Sequence, residues 1–138
     1  MVTAVSAANV ILHVNNASGG QGEVVEASDG ATEFRYWYTG GNGGNSDGKN
    51  QFSEQEYPDG VTFGVSLQAP ANLNATIVGF FDKNGSGVLS HSTVNDTEIT
   101  VTDTLGAFGT FNWGVKVEVD LPSGRGTINC DPPIRNIR

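Results

Sequence analysis

Apolar and polar residues alternate along residues 110–120 of this chain. The apolar positions are Phe111, Trp113, Val115, Val117 and Val119, and polar residues or glycine stand between them. Because successive side chains of a β-strand point to opposite faces, this period of two predicts one strand with a buried face and a solvent-facing one. An α-helix would instead scatter the five apolar residues around its circumference.

Similar short segments recur along the chain, separated by turns rich in glycine and asparagine. We predict strands over residues 10–14, 23–27, 32–39, 61–69, 75–81, 88–93, 98–102, 110–120 and 126–130, with a short edge strand over 134–137. No segment of ten or more residues has the period of a helix. About eight or nine short strands predict an all-β protein, a single-domain antiparallel β-sandwich over residues 1–138, with a β-barrel as the alternative.

Two turns are predicted to close hairpins. Asn84-Gly85 lies between the apolar segments 75–81 and 88–93, and Asn-Gly favours a tight hairpin because both residues tolerate positive φ. Near the C-terminus, residues 121–124 turn the chain between the strands at 110–120 and 126–130. We expect these last two strands to pair and to close the sheet.

The charge balance is acidic, with seven Lys and Arg against fifteen Asp and Glu and a net charge of −8. Nucleic acid and anionic membranes are disfavoured as partners, because both are bound mainly through Lys and Arg. Only 16% of the residues are charged, so the surface must consist largely of short polar side chains. Such side chains lose little entropy when they are ordered against a neighbour. We therefore expect a homo-oligomer or a larger assembly of the chain with itself, with a saccharide as the alternative partner.

The N-terminal residues predict a cytoplasmic protein. No Lys or Arg precedes the first apolar run, so the basic region of a signal peptide is missing. No apolar run approaches the roughly eighteen residues that a membrane span requires.

Cys130 is the single cysteine of the chain, so no internal disulfide can form. It shares a strand face with Ile128, which favours burial as a small hydrophobic residue. If it is exposed instead, it is a candidate intermolecular contact, because a lone thiol can form a disulfide with a second molecule on oxidation.

Three residues could begin a calcium site. Asp82, Asn84 and Ser86 place oxygens at alternate positions before Gly87, as in the first half of an EF-hand loop. The twelfth position would be Thr93, where such a loop requires a bidentate Glu, so a plain turn is the alternative interpretation. We expect no cofactor, and calcium is the alternative to this expectation. No catalytic residue is predicted, because the chain has two histidines and nothing in the sequence places either of them beside Cys130, and we do not expect an enzyme.

An aromatic cluster suggests a second kind of function. Tyr36, Trp37 and Tyr38 precede a loop rich in glycine and asparagine that contains Asn42 and Asn45. Aromatic rings can stack on a sugar, and amides can bind its hydroxyl groups. These five residues are the candidate site of a lectin-like module, with calcium as an assisting ion. Packing in the core or at an edge is the alternative explanation of the rings.

The C-terminal residues resemble the end of a bacterial inclusion-body protein family typified by AidA and PixA. The similar pattern consists of Thr110-Phe111-Asn112-Trp113, the alternating strand, Asp120, a glycine-containing turn and Asp131-Pro132-Pro133-Ile134. It covers less than a quarter of the chain, and Cys130 stands where the family usually has Trp. The resemblance implies a β-sandwich that accumulates in the cytoplasm as ordered inclusions, without known catalysis. Our leading hypothesis is accordingly a non-enzymatic structural protein that assembles with itself.

Overall fold

The structure is a computed structural model that describes residues 5–6, 9–19, 22–41, 50–53, 60–82, 89–104, 109–130 and 133–137. These residues contain twelve strands and two short 3-10 helices, Ala17–Gly19 and Ala71–Leu73. The strands are β1 (Val5–Ser6), β2 (Val10–Asn16), β3 (Glu23–Glu26), β4 (Glu33–Gly40), β5 (Asn50–Ser53), β6 (Val61–Gln68), β7 (Thr76–Asp82), β8 (Leu89–Asn95), β9 (Glu98–Asp103), β10 (Gly109–Leu121), β11 (Gly124–Cys130) and β12 (Pro133–Ile137). Within these ranges, no helix is long and apolar enough to cross a membrane.

The strands form two sheets that pack face to face. The first has the order β3-β4-β2-β6-β9-β8, and the two-residue β1 pairs with β6. In the second, β10 pairs with β7 on one side and β11 on the other, while its first residues pair with β12, which also pairs with β5. Six strands of the first sheet pack against β7, β10 and β11, and neither sheet closes on itself over the described strands. The predicted sandwich is therefore confirmed over its barrel alternative.

Each of the nine predicted segments overlaps an observed strand, but not every pairing is antiparallel. β2 and β6 are parallel neighbours, as are β1 and β6, and β5 and β12. The alternation of apolar and polar residues fixes which face of a strand is buried, and it contains no information on the direction of the neighbouring strand. The predicted antiparallel sandwich is thus observed with three parallel pairs that the sequence did not predict.

The hairpin predicted at Asn84-Gly85 is also wrong. β7 pairs with β10 in the second sheet, whereas β8 pairs with β9 in the first, so the chain changes sheets between them. β8 instead forms its hairpin with the strand that follows. The turn between β8 and β9 is supported by the Thr97 backbone N–H, which donates to Asn95 Oδ1 at 2.9 Å.

The C-terminal hairpin is present as predicted. β10 and β11 pair with Val115 opposite Cys130, and β12 keeps this register with Asn112 opposite Pro133. β12 therefore continues the line of β11 along β10. It lies between β10 and β5, so the prediction of an edge strand over residues 134–137 was wrong.

The alternation along β10 corresponds to burial as expected. The four apolar residues from Trp113 to Val119 on one face are fully buried, whereas Lys116 and Asp120 on the other face are exposed. This buried row faces the apolar side of the first sheet, so β10 supplies the centre of the core from the second sheet.

Trp113 is the largest fully buried residue, and it packs against aromatic rings of both sheets. Its ring centroid lies 5.9 Å from that of Tyr38, 5.7 Å from that of Phe63 and 5.7 Å from that of Phe80. Among the described residues, its indole Nε1 has no hydrogen-bond partner. Trp113 therefore stabilises the sandwich through the packing of its ring.

Candidate functional site

The aromatic residues predicted to bind a saccharide do not share one face. Tyr36 and Tyr38 point into the core, where 7% and 6% of their surfaces are exposed, and Trp37 points to the outer face of the first sheet. The Tyr36 hydroxyl donates to Glu23 Oε2 at 3.1 Å, and the Tyr38 hydroxyl donates to the backbone carbonyl of Cys130 at 2.7 Å. Both tyrosines therefore act in packing, and Trp37 is the one ring of the predicted set that faces outward.

Trp37 is half-buried, and its indole stacks on the imidazole of His13. The two ring centroids are 5.0 Å apart and the planes differ by 3°. His13 Nε2 forms a hydrogen bond with Thr39 Oγ1 at 2.8 Å, and desolvation by burial lowers the pKa of His13 from its ordinary value of 6.5. Gly22 approaches the same indole so closely that a Cβ there would lie 2.9 Å from Trp37 Cε3. One face of Trp37 is thus covered by the imidazole.

The remaining predicted ligand residues fall largely outside the described part of the chain. Asn42 and Asn45 of the saccharide set, and Asn84 and Ser86 of the calcium set, lie outside it, as does the side chain of Asp82. Where side chains are described, no three of His, Cys, Asp and Glu lie together in a group that could hold a metal ion. Calcium binding by these residues stays a prediction.

Cys130 is fully buried at the end of β11. The residue opposite it in the ladder is Val115, which is also fully buried. This position fits packing as a small hydrophobic residue. It does not fit an intermolecular contact, because a thiol without exposed surface cannot reach a second molecule while the chain is folded.

The structure adds a feature that the sequence did not indicate, the edges of the two sheets. Of the nine strands that form the sandwich, β3 and β8 in the first sheet and β7 and β11 in the second have one side that no other described strand pairs. Free N–H and C=O groups along such an edge can pair with another chain. Proteins usually prevent this with charged side chains, bulges, short strands or a covering segment.

The β3 edge is short and acidic. It has four residues with a glutamate at each end, Glu23 and Glu26, and it exposes Val24 between them. A second copy of the chain that paired with this edge through its own β3 would bring carboxylates against carboxylates. This edge is therefore protected against self-pairing.

The β11 edge is covered by the turn that follows β3. The backbone N–H of Ser28 donates to the Thr127 carbonyl at 2.9 Å, and the Thr127 N–H donates to Ser28 Oγ at 3.0 Å. At the start of β11, Arg125 forms ion pairs with Glu118 and Asp120, both at 2.8 Å. The hydrogen bonds from Asn74 and Arg125 lower the pKa of Asp120, which keeps this cluster charged.

The β7 edge is irregular. Its register with β10 shifts so that Val78 has no residue opposite it, which is a β-bulge in the middle of the strand. The Ile77 N–H is already bonded to the Asp96 carbonyl in the turn between β8 and β9, at 2.6 Å. The edge of β7 therefore does not present a regular row of free backbone groups.

The β8 edge differs from the other three. Its seven residues include no charged side chain, and every side chain from Ser90 to Asn95 is exposed. The ladder with β9 is regular from Leu89 to Thr93, and a bulge at Val94 follows. β8 is therefore an uncharged and accessible strand with a regular ladder over five residues, and we regard it as the candidate interaction site.

His91 and Thr93 show why the side chains of β8 are accessible. Both lie on the core side of the first sheet, opposite the buried Val101 and Ile99, yet both are exposed because the second sheet is narrower than the first. The His91 ring lies 5.2 Å from the ring of Phe80, centroid to centroid, at the margin of the second sheet. A strip of the inner face along β8 is thus uncovered.

A comparison of the chain with models of known protein families found no match, and a comparison with curated proteins found none. The similarity of the C-terminal residues to the inclusion-body family therefore stays a prediction based on the residues quoted for it.

Proposed function

We propose that this chain is a non-enzymatic structural protein that assembles with copies of itself. The observation that carries the proposal is the β8 edge, a seven-residue strand without charge whose outer side no other described strand pairs. Exposed edges of this kind add strands from other molecules through main-chain hydrogen bonds. Assembly through a strand edge requires no cofactor and no catalytic group.

The composition of the surface supports the same proposal. Short polar side chains lose less entropy on contact than Lys or Glu does, and only 16% of the residues are charged. The net charge of −8 opposes association, but at physiological ionic strength its effect is screened beyond about 8 Å. The similarity to the AidA and PixA type of protein favours ordered cytoplasmic inclusions as the assembled form.

Size-exclusion chromatography with light scattering tests self-assembly. We expect a mass above the 14.5 kDa of one chain that rises with protein concentration. Addition of a reductant should leave the mass unchanged, because Cys130 is buried. A mass that stays at one chain up to high concentration would contradict the proposal.

The second candidate function is saccharide binding, which the outward position of Trp37 favours. A glycan array probed with and without EDTA tests this function and its calcium dependence together. Trp37→Ala should abolish any binding, whereas Tyr38→Phe should keep it, because the Tyr38 ring lies in the core. An array without signal in either condition would eliminate this candidate.

A further inference from the structure

We propose that β8 pairs with β8 of a second copy in the antiparallel direction, about a two-fold axis that passes beside His91. The pairing would join the first sheets of the two copies into one continuous sheet. This inference rests on the proposed self-assembly and specifies the contact through which it occurs.

Charge explains why a second copy is a suitable partner for this edge. The chain carries a net charge of −8, and the opposite edge of the same sheet has glutamates at positions 23 and 26. Two copies that met there would place like charges across the interface, which destabilises a strand pair. Leu89–Asn95 contains no acidic or basic residue, so two β8 strands can meet without this repulsion.

The bulge determines the register of the pair. The regular part of β8 has five residues, from Leu89 to Thr93, and a bulge at Val94 bends the strand beyond them. Two antiparallel copies use all five residues only when the middle one, His91, lies opposite its own counterpart. In this register Ser90 lies opposite Ser92 of the second copy, and Leu89 lies opposite Thr93.

The side chains of β8 suit this arrangement on both faces. On the outer face, the exposed hydroxyls of Ser90 and Ser92 can each donate and accept a hydrogen bond across the interface. On the inner face, the second copy would cover part of the uncovered strip that contains His91 and Thr93. Because such a contact uses the same surface on both copies, it closes at a dimer, and larger inclusions require a further contact between dimers.

Cysteine cross-linking tests the register directly. Residues directly opposite each other in an antiparallel pair have Cα atoms about 4.5–5.5 Å apart, within the roughly 4.4–6.8 Å that a disulfide spans. Diagonal neighbours are about 7–8 Å apart, beyond that range. The native thiol of Cys130 is buried, so an introduced cysteine is the reactive one.

His91→Cys should therefore form a covalent dimer under mild oxidation. Ser90→Cys and Ser92→Cys should each stay mostly uncoupled alone, but an equimolar mixture of these two variants should give a heterodimer. The mixture also provides a test that leaves His91 unchanged, in case its substitution disturbs the contact with Phe80.

Val24→Cys, at an exposed position on the β3 edge, measures cross-linking by random collision. If the wild-type chain self-associates but no β8 cysteine cross-links faster than this control, the β8 pairing is overturned while self-assembly stands. Faster cross-linking of Ser92→Cys alone than of His91→Cys would overturn the register centred on His91. A wild-type chain that is monomeric at all concentrations would overturn both proposals.

Discussion

The two edges of the first sheet differ in length and in charge, two features that control pairing with another chain. β3 has four residues with a glutamate at each end, whereas β8 has seven residues and no charge. Both expose a valine, Val24 at 48% and Val94 at 54%, so apolar exposure does not distinguish them. Since the backbone groups of all strands are alike, strand length and charge determine which edge is available. The first sheet is therefore protected at the β3 edge and accessible at the β8 edge.

The second sheet repeats this difference. β11, on the flank next to β3, is joined to the first sheet through the reciprocal hydrogen bonds of Ser28 and Thr127. β7 lies on the flank next to β8. It is joined to the first sheet by a hydrogen bond near its first residue, from the Ile77 N–H to the Asp96 carbonyl. The sandwich therefore has a closed flank formed by β3 and β11 and an open flank formed by β7 and β8.

The substitution with the largest expected effect tests whether the closed and open flanks are stabilised by the same hydrophobic core. Trp113→Ala removes the ring that contacts Tyr38, Phe63 and Phe80, so we expect a loss of about 3–5 kcal/mol in the free energy of unfolding. Denaturant unfolding followed by circular dichroism measures this loss. Trp113→Phe is the control and should cost less, since it keeps an aromatic ring and the indole Nε1 makes no described hydrogen bond. Two separate unfolding transitions would contradict a common core.

Substitution of two buried tyrosines should have the next largest effect on the unfolding free energy. The two substitutions compare the contribution of the sandwich centre with that of the β3 edge. Tyr38→Phe removes a buried hydrogen bond to the Cys130 carbonyl, and we expect a loss of about 1–3 kcal/mol in unfolding free energy. Tyr36→Phe is the matched control, because it removes a longer bond to the exposed Glu23 and should cost less. A larger loss for Tyr36→Phe than for Tyr38→Phe in urea unfolding would show that the β3 edge contributes more to stability than its burial indicates.

Charges added to β8 test the difference between the two edges of the first sheet. The double substitution Ser90→Lys with Ser92→Lys would place ammonium groups opposite each other in the proposed pair, so we expect self-association to weaken about tenfold. The unfolding free energy of the single chain should change by less than about 0.5 kcal/mol, because both positions are exposed surface. Sedimentation velocity over a concentration series measures the association.

Val24→Lys is the control for this charge test, since it adds a lysine at the β3 edge. It should leave self-association unchanged. Stronger association of both variants would indicate that net charge, and not the β8 edge, controls association, because each added lysine reduces the net charge of −8.

The sequence was sufficient to predict the described strands other than β1 and β5, because burial on one face of a strand makes apolar and polar residues alternate. The apolar residues of β10 from Trp113 to Val119 are buried as this pattern indicates, and the turn at residues 121–124 joins β10 to β11. Trp37 also lies on the outer side of β4, as the alternation of that strand implies.

Strand neighbours and edges could not be predicted in the same way. Asn84-Gly85 indicates a turn, but the partner of β7 is β10, about thirty residues later in the chain, and a local signal contains no information on it. For the same reason, the uncharged residues of β8 looked like an ordinary strand. Their importance depends on the position of β8 at the edge of the sheet, which follows from the complete topology.

The smallest expected effect is a dependence of the unfolding free energy on pH, and it compares the two histidines. His13 lies on β2, between the closed flank and the middle of the first sheet, and His91 lies on β8. Burial lowers the pKa of His13 in the folded chain, so the unfolded chain binds more protons near and below the ordinary value of 6.5. The unfolding free energy should therefore be highest above that pH and should decrease as the pH falls below it. The decrease should stop once the pH is below the lowered pKa of the folded chain, and it should be small because the ring is only partly buried.

Urea unfolding between about pH 5 and pH 7, where most carboxylates stay ionised, measures this decrease. His13→Gln should remove it, because glutamine does not titrate, and the stack on Trp37 is then lost at every pH alike. His91→Gln is the matched control and should retain it, because this substitution leaves His13 and Trp37 unchanged. If His91→Gln abolishes this pH-dependent decrease in unfolding free energy and His13→Gln retains it, the His13–Trp37 stack does not couple protonation to folding.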